Sequence, residues 1–187
     1  MKTPDWKTCT EEELWRYVAF HLKKAGVDSV LVGGAVVAIY SQGAYRSGDL
    51  DMIVARSELP KVDAVLATLG FQKVRGRHFE HPDCAHIIIE FPAGPISIGD
   101  DYKIQPKEVE VEGSKIKIFT PTDCVRDRLA SYIHFDAREC LDQAVLVATR
   151  QPVDLAKVKE WCRQEGGMDA YKKFEEKLRA SGTPGRK

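Results

Sequence analysis

Residues 30–54, VLVGGAVVAIYSQGAYRSGDLDMIV, set a glycine pair directly after a short apolar run and an Asp-Leu-Asp inside the next one. That order constrains the fold more than any other feature of the chain. SVLV (29–32) has the length and branching of a buried strand, and DLDMIVA (49–55) has the alternation of a second. Between them GAVVAIYSQG (34–43) suits a helix that starts at the glycines and stops at Gly43. A strand that turns at Gly33-Gly34 straight into a helix exposes unpaired N–H groups at the positive end of the helix dipole. Glycine has no Cβ to block close approach, so the turn suits a phosphate, or a tight connection with nothing bound.

Asp49 and Asp51 stand two apart on the second strand, so their side chains share a face. Two carboxylates about 5 Å apart at an effective dielectric near 20 repel by ~3 kcal/mol. A strand continued by Met52, Ile53 and Val54 has little reason to carry that cost without a cation; a solvated outer face is the plainer account. Competing motifs fall away. Ile53 stands where an EF-hand loop needs a ligand, no Lys follows the glycines as in a P-loop, and Gly-x-Gly-x-x-Gly is absent.

Elsewhere, Thr10 and Glu13 have capping-box spacing ahead of Leu14, Tyr17, Val18 and Leu22, which recur as on a helix that Gly26 stops. Ser57 is placed to cap the helix ELPKVDAVLATLG, ended by Gly70. FQKVRGR, CAHIIIEF, KEVEVEG and SKIKIFT are short β-rich runs bounded by Gly, Pro and Asp, which predict antiparallel pairing. From TPTDCVRDRLASYIHF onward the pattern is helical, with Thr120 or Thr122 as a cap and Gly166-Gly167 separating the last two helices; ASGTPGRK reads as a frayed tail. The expected class is α+β, with residues 1–119 a mixed unit and 120–187 a small helical bundle packed on it.

The 187 residues fit one domain with a small appendage, and 43% hydrophobic residues supply a real core. Lys plus Arg equals Asp plus Glu at 28 each, which argues against a strongly basic nucleic-acid footprint. No apolar run has membrane-spanning length, and the N-terminus lacks a secretory apolar core. Five scattered cysteines with no CxxC pair argue against a disulfide framework and for a cytoplasmic home.

The conjunction of apolar strand, Gly-Gly, helix, Arg-Ser-Gly and Asp-Leu-Asp resembles the minimal nucleotidyltransferases of the DNA polymerase β-like superfamily. More narrowly, LVGGAVVAIY with RSGDLDMIV is similar to bacterial abortive-infection and toxin–antitoxin nucleotidyltransferases. The resemblance implies a nucleotidyltransferase-like mixed sheet flanked by helices, with Asp49 and Asp51 as catalytic metal ligands for Mg²⁺ or Mn²⁺. It implies Gly33, Gly34, Arg46 and Ser47 at the phosphates of a nucleoside triphosphate such as ATP. It also implies a third acid on a later strand, for which Glu90, closing HIIIE, is the candidate; a Glu there replaces the family's commoner Asp. Glu90 is otherwise a strand-end residue reaching solvent beside Pro92. Related proteins often carry a basic residue where Arg126 and Arg128 open the helical unit, and Arg128 is the one assigned to the nucleotide; otherwise these arginines pair with Asp123 and Asp127 in solvent. The implied reaction moves a nucleoside monophosphate to a hydroxyl of RNA, protein or a small molecule, with an antitoxin or toxin partner and no membrane.

His78, His81, Cys84 and His86 are dense enough to raise zinc, but their spacing matches no structural zinc pattern, and His81-Pro82-Asp83 also reads as a turn. Lys73, Arg75 and Arg77 form a period-two basic stripe, suited to nucleic acid or to solvent. Two further functions stay open at this stage: an inert nucleotide-binding or interaction module on the same fold, and a zinc-stabilised nucleic-acid-binding protein.

Overall fold

A computed structural model describes residues 1–92 and 94–182; the last five residues of the expected tail lie outside the described residues. Helix α1 (Glu11–Lys24) begins with the full capping box, Thr10 accepting from the Glu13 N–H at 3.2 Å and Glu13 accepting from the Thr10 N–H at 2.8 Å. Strand β1 (Ser29–Val32), helix α2 (Gly34–Tyr40) and strand β2 (Asp49–Val54) follow in the expected order. Helix α2 stops short of Gly43. The carbonyls of Tyr40 and Ser41 accept from Gln151 (2.9 Å) and Arg150 (2.6 Å), and the chain turns through Gly43 at φ 77°.

Helix α3 (Leu59–Thr68) is not capped by Ser57. Residues Arg56–Glu58 form a 3₁₀ turn, and Pro60 in the first helical turn removes one of the N–H groups a cap would satisfy. Strands β3 (Gln72–Arg75), β4 (His78–His81) and β5 (Cys84–Glu90) make an antiparallel meander, and β6 (Lys107–Val111) with β7 (Ser114–Ile118) makes a hairpin. The seven strands among the described residues join one sheet in the order β3-β4-β5-β2-β1-β7-β6. The short β-rich runs pair antiparallel among themselves as expected, and the sheet is mixed as the resemblance implies, because β5 runs parallel to β2 and β7 parallel to β1. Both need long crossovers, which the intervening elements supply.

Leu50, Met52 and Val54 of β2, with Leu31, Ile87 and Ile89, are buried in one core with Leu14, Trp15 and Leu22 of α1. The alternate residues Asp49, Asp51 and Ile53 lie on the opposite face of β2 and are only half-buried. Helices α4 (Pro121–Phe135), α5 (Glu139–Arg150), α6 (Leu155–Gln164) and α7 (Met168–Ala180) pack on one another, and α2 contacts both α4 and α5. Thr120, rather than Thr122, caps α4 through the Asp123 N–H at 3.1 Å. Tyr40 anchors α2 to the sheet by donating to the Phe119 carbonyl at 2.6 Å. No helix among the described residues is long and apolar enough to cross a membrane.

Candidate active site

The glycine pair is dictated by what lies against it. Gly33 follows the last residue of β1 at φ 74°, and a Cβ there would sit 2.2 Å from Asp51 Oδ2. A Cβ at Gly34 would sit 2.7 Å from Ser47 Oγ. Contacts that close do not occur between real side chains, so the two glycines let a carboxylate and a hydroxyl rest on the turn.

The strand register then gathers three acids. Parallel pairing sets Asp51 beside Glu90 and Asp49 beside Ile88. Glu90 therefore shares the open face with the two aspartates, while Ile87 and Ile89 enter the core. Two of the acids have a side-chain partner: Ser47 Oγ donates to Asp49 Oδ1 at 2.7 Å, and His78 Nδ1 lies 3.2 Å from Glu90 Oε1. Ser47 is fixed in turn by Glu11, whose Oε1 accepts from the Ser47 backbone N–H at 2.7 Å and lies 3.1 Å from Arg46 Nε.

Burial pushes the Asp51 carboxyl up to about 7, and the charges of Asp49, Glu90 and Asp127 push the same way against Arg128. A carboxyl so short of positive charge, among hard oxygen donors on one sheet face, fits a small divalent cation such as Mg²⁺ or Mn²⁺.

The remaining sequence candidates divide. Arg128 reaches the neighbourhood of Asp51, but its guanidinium is held by Asp127 (2.6 Å) and Gln143 (3.4 Å). Arg126 points into the interior at 2% exposure, paired with Asp101 and Asp123 and lying over the Trp161 ring. The expectation that Arg126 adds charge to the site is therefore corrected, and so is the alternative of pairing in solvent. Lys73 and Arg75 lie on the wholly exposed β3, with Lys73 bound to Asp63 at 2.7 Å, while Arg77 falls in the following turn. The four-member histidine–cysteine group does not converge. His78 turns to Glu90, His81 stacks on Trp6 with ring centroids 3.9 Å apart, and only Cys84 and His86 remain together.

Sequence reasoning missed Glu11, His78 as the partner of Glu90, and Asp127. Glu11 is one of three consecutive glutamates at a helix start, and only its 3% exposure singles it out. The pairing of His78 with Glu90 depends on the β4–β5 register, which no local pattern encodes. Near Asp127 an open cleft of about 460 Å³ runs between the 97–100 loop and α4, bordered by Ile98, Asp100, Asp127, His134, Phe135 and Glu165.

No family model matches the chain, and no curated protein matches it. Solved structures do. An antigenic nucleotidyltransferase-like protein from Paracoccidioides brasiliensis superposes with a TM-score of 0.53 at 16% identity, over 73% of this chain and 74% of its own. ANT(2″)-Ia in complex with adenylyl-2″-tobramycin gives 0.52 at 12% identity, over 86% and 95%. The lincosamide antibiotic adenylyltransferase LnuA, bound to lincomycin, gives 0.51 at 18% identity, over 76% and 98%. The fold is that of the nucleotidyltransferase-like proteins.

Proposed function

We propose that this protein is a nucleotidyltransferase that moves a nucleoside monophosphate from a nucleoside triphosphate to an acceptor hydroxyl. One observation carries the proposal: Asp49, Asp51 and Glu90 share one sheet face beside the Gly33 turn, with Asp51 short of positive charge. Asp49 and Asp51, joined by Glu90, would hold Mg²⁺ or Mn²⁺, which would neutralise these carboxylates together with the triphosphate oxygens. The backbone at Gly33-Gly34, with Ser47, Arg46 and Arg128, orients the triphosphate. The acceptor hydroxyl gives its proton to Glu90 or Asp51 as its oxygen bonds to the α-phosphorus. The bond to the β-phosphate bridge breaks and pyrophosphate leaves.

The cleft beside Asp127 offers a route for the acceptor. Its three carboxylates, Asp100, Asp127 and Glu165, face His134 and the exposed Phe135 ring, a lining that favours a neutral or cationic small hydroxyl compound over RNA. A toxin–antitoxin or phage-defence setting, with a cognate protein partner in the cytoplasm, rests on the Arg46-Ser47-Gly48-Asp49-Leu50-Asp51 phrasing. One observation favours the inert-module alternative: Arg46 and Arg128 are already paired, to Glu11 and Asp127.

Incubation with Mg²⁺, each α-labelled triphosphate and either a panel of small hydroxyl compounds or cell RNA and protein tests these together. The proposal expects label on an acceptor and released pyrophosphate, both lost in Asp49→Ala with Asp51→Ala. Nucleotide binding without transfer to any acceptor would leave the inert module; equal transfer by the double variant would end the proposal.

A further inference from the structure

Cys9, just ahead of α1, meets Cys84 and His86 from the start of β5 far away in the chain. One ligand atom from each of the three lies within 4.8 Å of the others. The two sulfurs are 3.8 Å apart, and Cys84 Sγ is 3.8 Å from His86 Nδ1. For a tetrahedral ion with Zn–S near 2.3 Å and Zn–N near 2.0 Å, the matching edges are about 3.8 Å between sulfurs and about 3.5 Å from sulfur to nitrogen. Those two edges therefore match a ligand set, and the third pair of ligand atoms lies within 4.8 Å.

The histidine is also in the tautomer a metal needs. His86 Nε2 lies 2.9 Å from the Cys9 backbone carbonyl, which can only accept, so Nε2 carries the proton. In the neutral ring Nδ1 is then a bare lone pair beside the Cys84 thiol. A backbone carbonyl that fixes the ring this way is the usual outer partner of a metal-bound histidine. The thiols are buried, Cys9 at 2% and Cys84 at 1%, while the His86 side is exposed, so an ion has an entry path and solvent can fill the fourth position.

We propose that Cys9, Cys84 and His86 bind a thiophilic divalent cation of the zinc class, separate from the oxygen-rich Asp49–Asp51–Glu90 face. Two thiolates and an imidazole select zinc over the magnesium class that carboxylates prefer. The bound ion clamps the segment that enters α1 onto β5. Two residues after Cys9, that segment carries Glu11, whose carboxylate holds the Ser47 backbone. The site is thus a fastener for the strut behind Asp49, and it stands or falls independently of nucleotide transfer.

The test uses the full chain purified under reductant, with Zn²⁺ competed against a chromophoric chelator and Co²⁺ as a spectroscopic probe. The expected result is one equivalent of Zn²⁺, and a Co²⁺ adduct with thiolate charge-transfer bands and tetrahedral ligand-field bands. His86→Ala, at an exposed position, should stay folded and weaken Zn²⁺ binding at least tenfold. Cys84→Ser should abolish the charge-transfer bands or strongly reduce them, and His21→Ala, in the last turn of α1 and outside the group, should leave Zn²⁺ binding unchanged. No stoichiometric Zn²⁺ in the wild type, octahedral Co²⁺ without sulfur bands, or unchanged affinity in His86→Ala would each overturn the proposal. A Cys9–Cys84 disulfide that forms in the presence of Zn²⁺ and excludes it would do the same.

Discussion

Asp51 Oδ2 occupies the space in which a side chain at Gly33 would begin, 2.2 Å from the position of its Cβ. Turn and carboxylate are thus one unit, and the glycine is needed by the acid as much as by any ligand. Gly33→Ala should therefore cost ~2–4 kcal/mol, from strain at φ 74° plus displacement of Asp51, and should lower transfer at least a hundredfold. Gly43→Ala is the control. Its φ of 77° is equally strained, but open space surrounds it, so it should lose ~1 kcal/mol and keep nucleotide affinity. Thermal unfolding together with nucleotide titration of the two variants checks both parts.

The Asp51 carboxyl titrates at about 7 in the folded chain against 3.8 for an ordinary aspartate, so the folded state holds an extra proton between about pH 4 and pH 7. Stability contributed by this group is complete below about pH 4 and is lost as the pH rises through 7. Asp51→Asn escapes that loss and should be more stable than wild type at pH 8 without divalent ions, by up to ~4 kcal/mol. Saturating Mg²⁺ should stabilise the wild type and leave the variant unmoved. Denaturant melts from pH 4 to pH 8, with and without Mg²⁺, show it; parallel curves for the two proteins would contradict it.

Glu11 is buried and supports the loop ahead of Asp49 through the Ser47 N–H. Glu11→Ala should cost ~1–3 kcal/mol, the worth of a charged acceptor lost to a buried donor. Most of that cost comes from the Ser47 bond, because Arg46 is 54% exposed and its pairing is worth little. Urea melts give the stability change. The activity of the folded fraction should fall about tenfold as Ser47 and Asp49 loosen.

Arg126 and Arg128 sit two apart on α4 yet should behave differently. Arg126→Ala leaves Asp123 buried with its main partner gone and should cost ~3–5 kcal/mol, with nucleotide affinity per folded molecule intact. Arg128→Ala removes a positive charge felt by Asp51 and should weaken triphosphate binding severalfold. Paired melting and binding curves separate the two.

Much of this architecture was legible because local chemistry writes it directly. The Thr10–Glu13 box, the Thr120 cap, the four-residue β1 and the alternation of β2 all depend on neighbours within a turn or a strand. The Asp49–Asp51 pair was legible for the same reason, since period two fixes their shared face. What stayed hidden depends on register and long-range contact. The parallel seam that sets Glu90 beside Asp51, the turn of His78 toward Glu90, and the meeting of Cys9 with Cys84 leave no periodic trace. Ser57 failed as a cap because Pro60 had already removed a donor, and α2 ended early because side chains of α5 and of the following Gln151 took its last carbonyls.

Asp49, Asp51 and Glu90 are proposed to form a single divalent-cation site. A Mn²⁺ titration followed by electron paramagnetic resonance, with a non-hydrolysable triphosphate present, tests it most directly. One tightly bound Mn²⁺ per chain is expected in the wild type, lost in Asp49→Asn and Asp51→Asn and weakened in Glu90→Gln. Equal Mn²⁺ binding by all four proteins would contradict it.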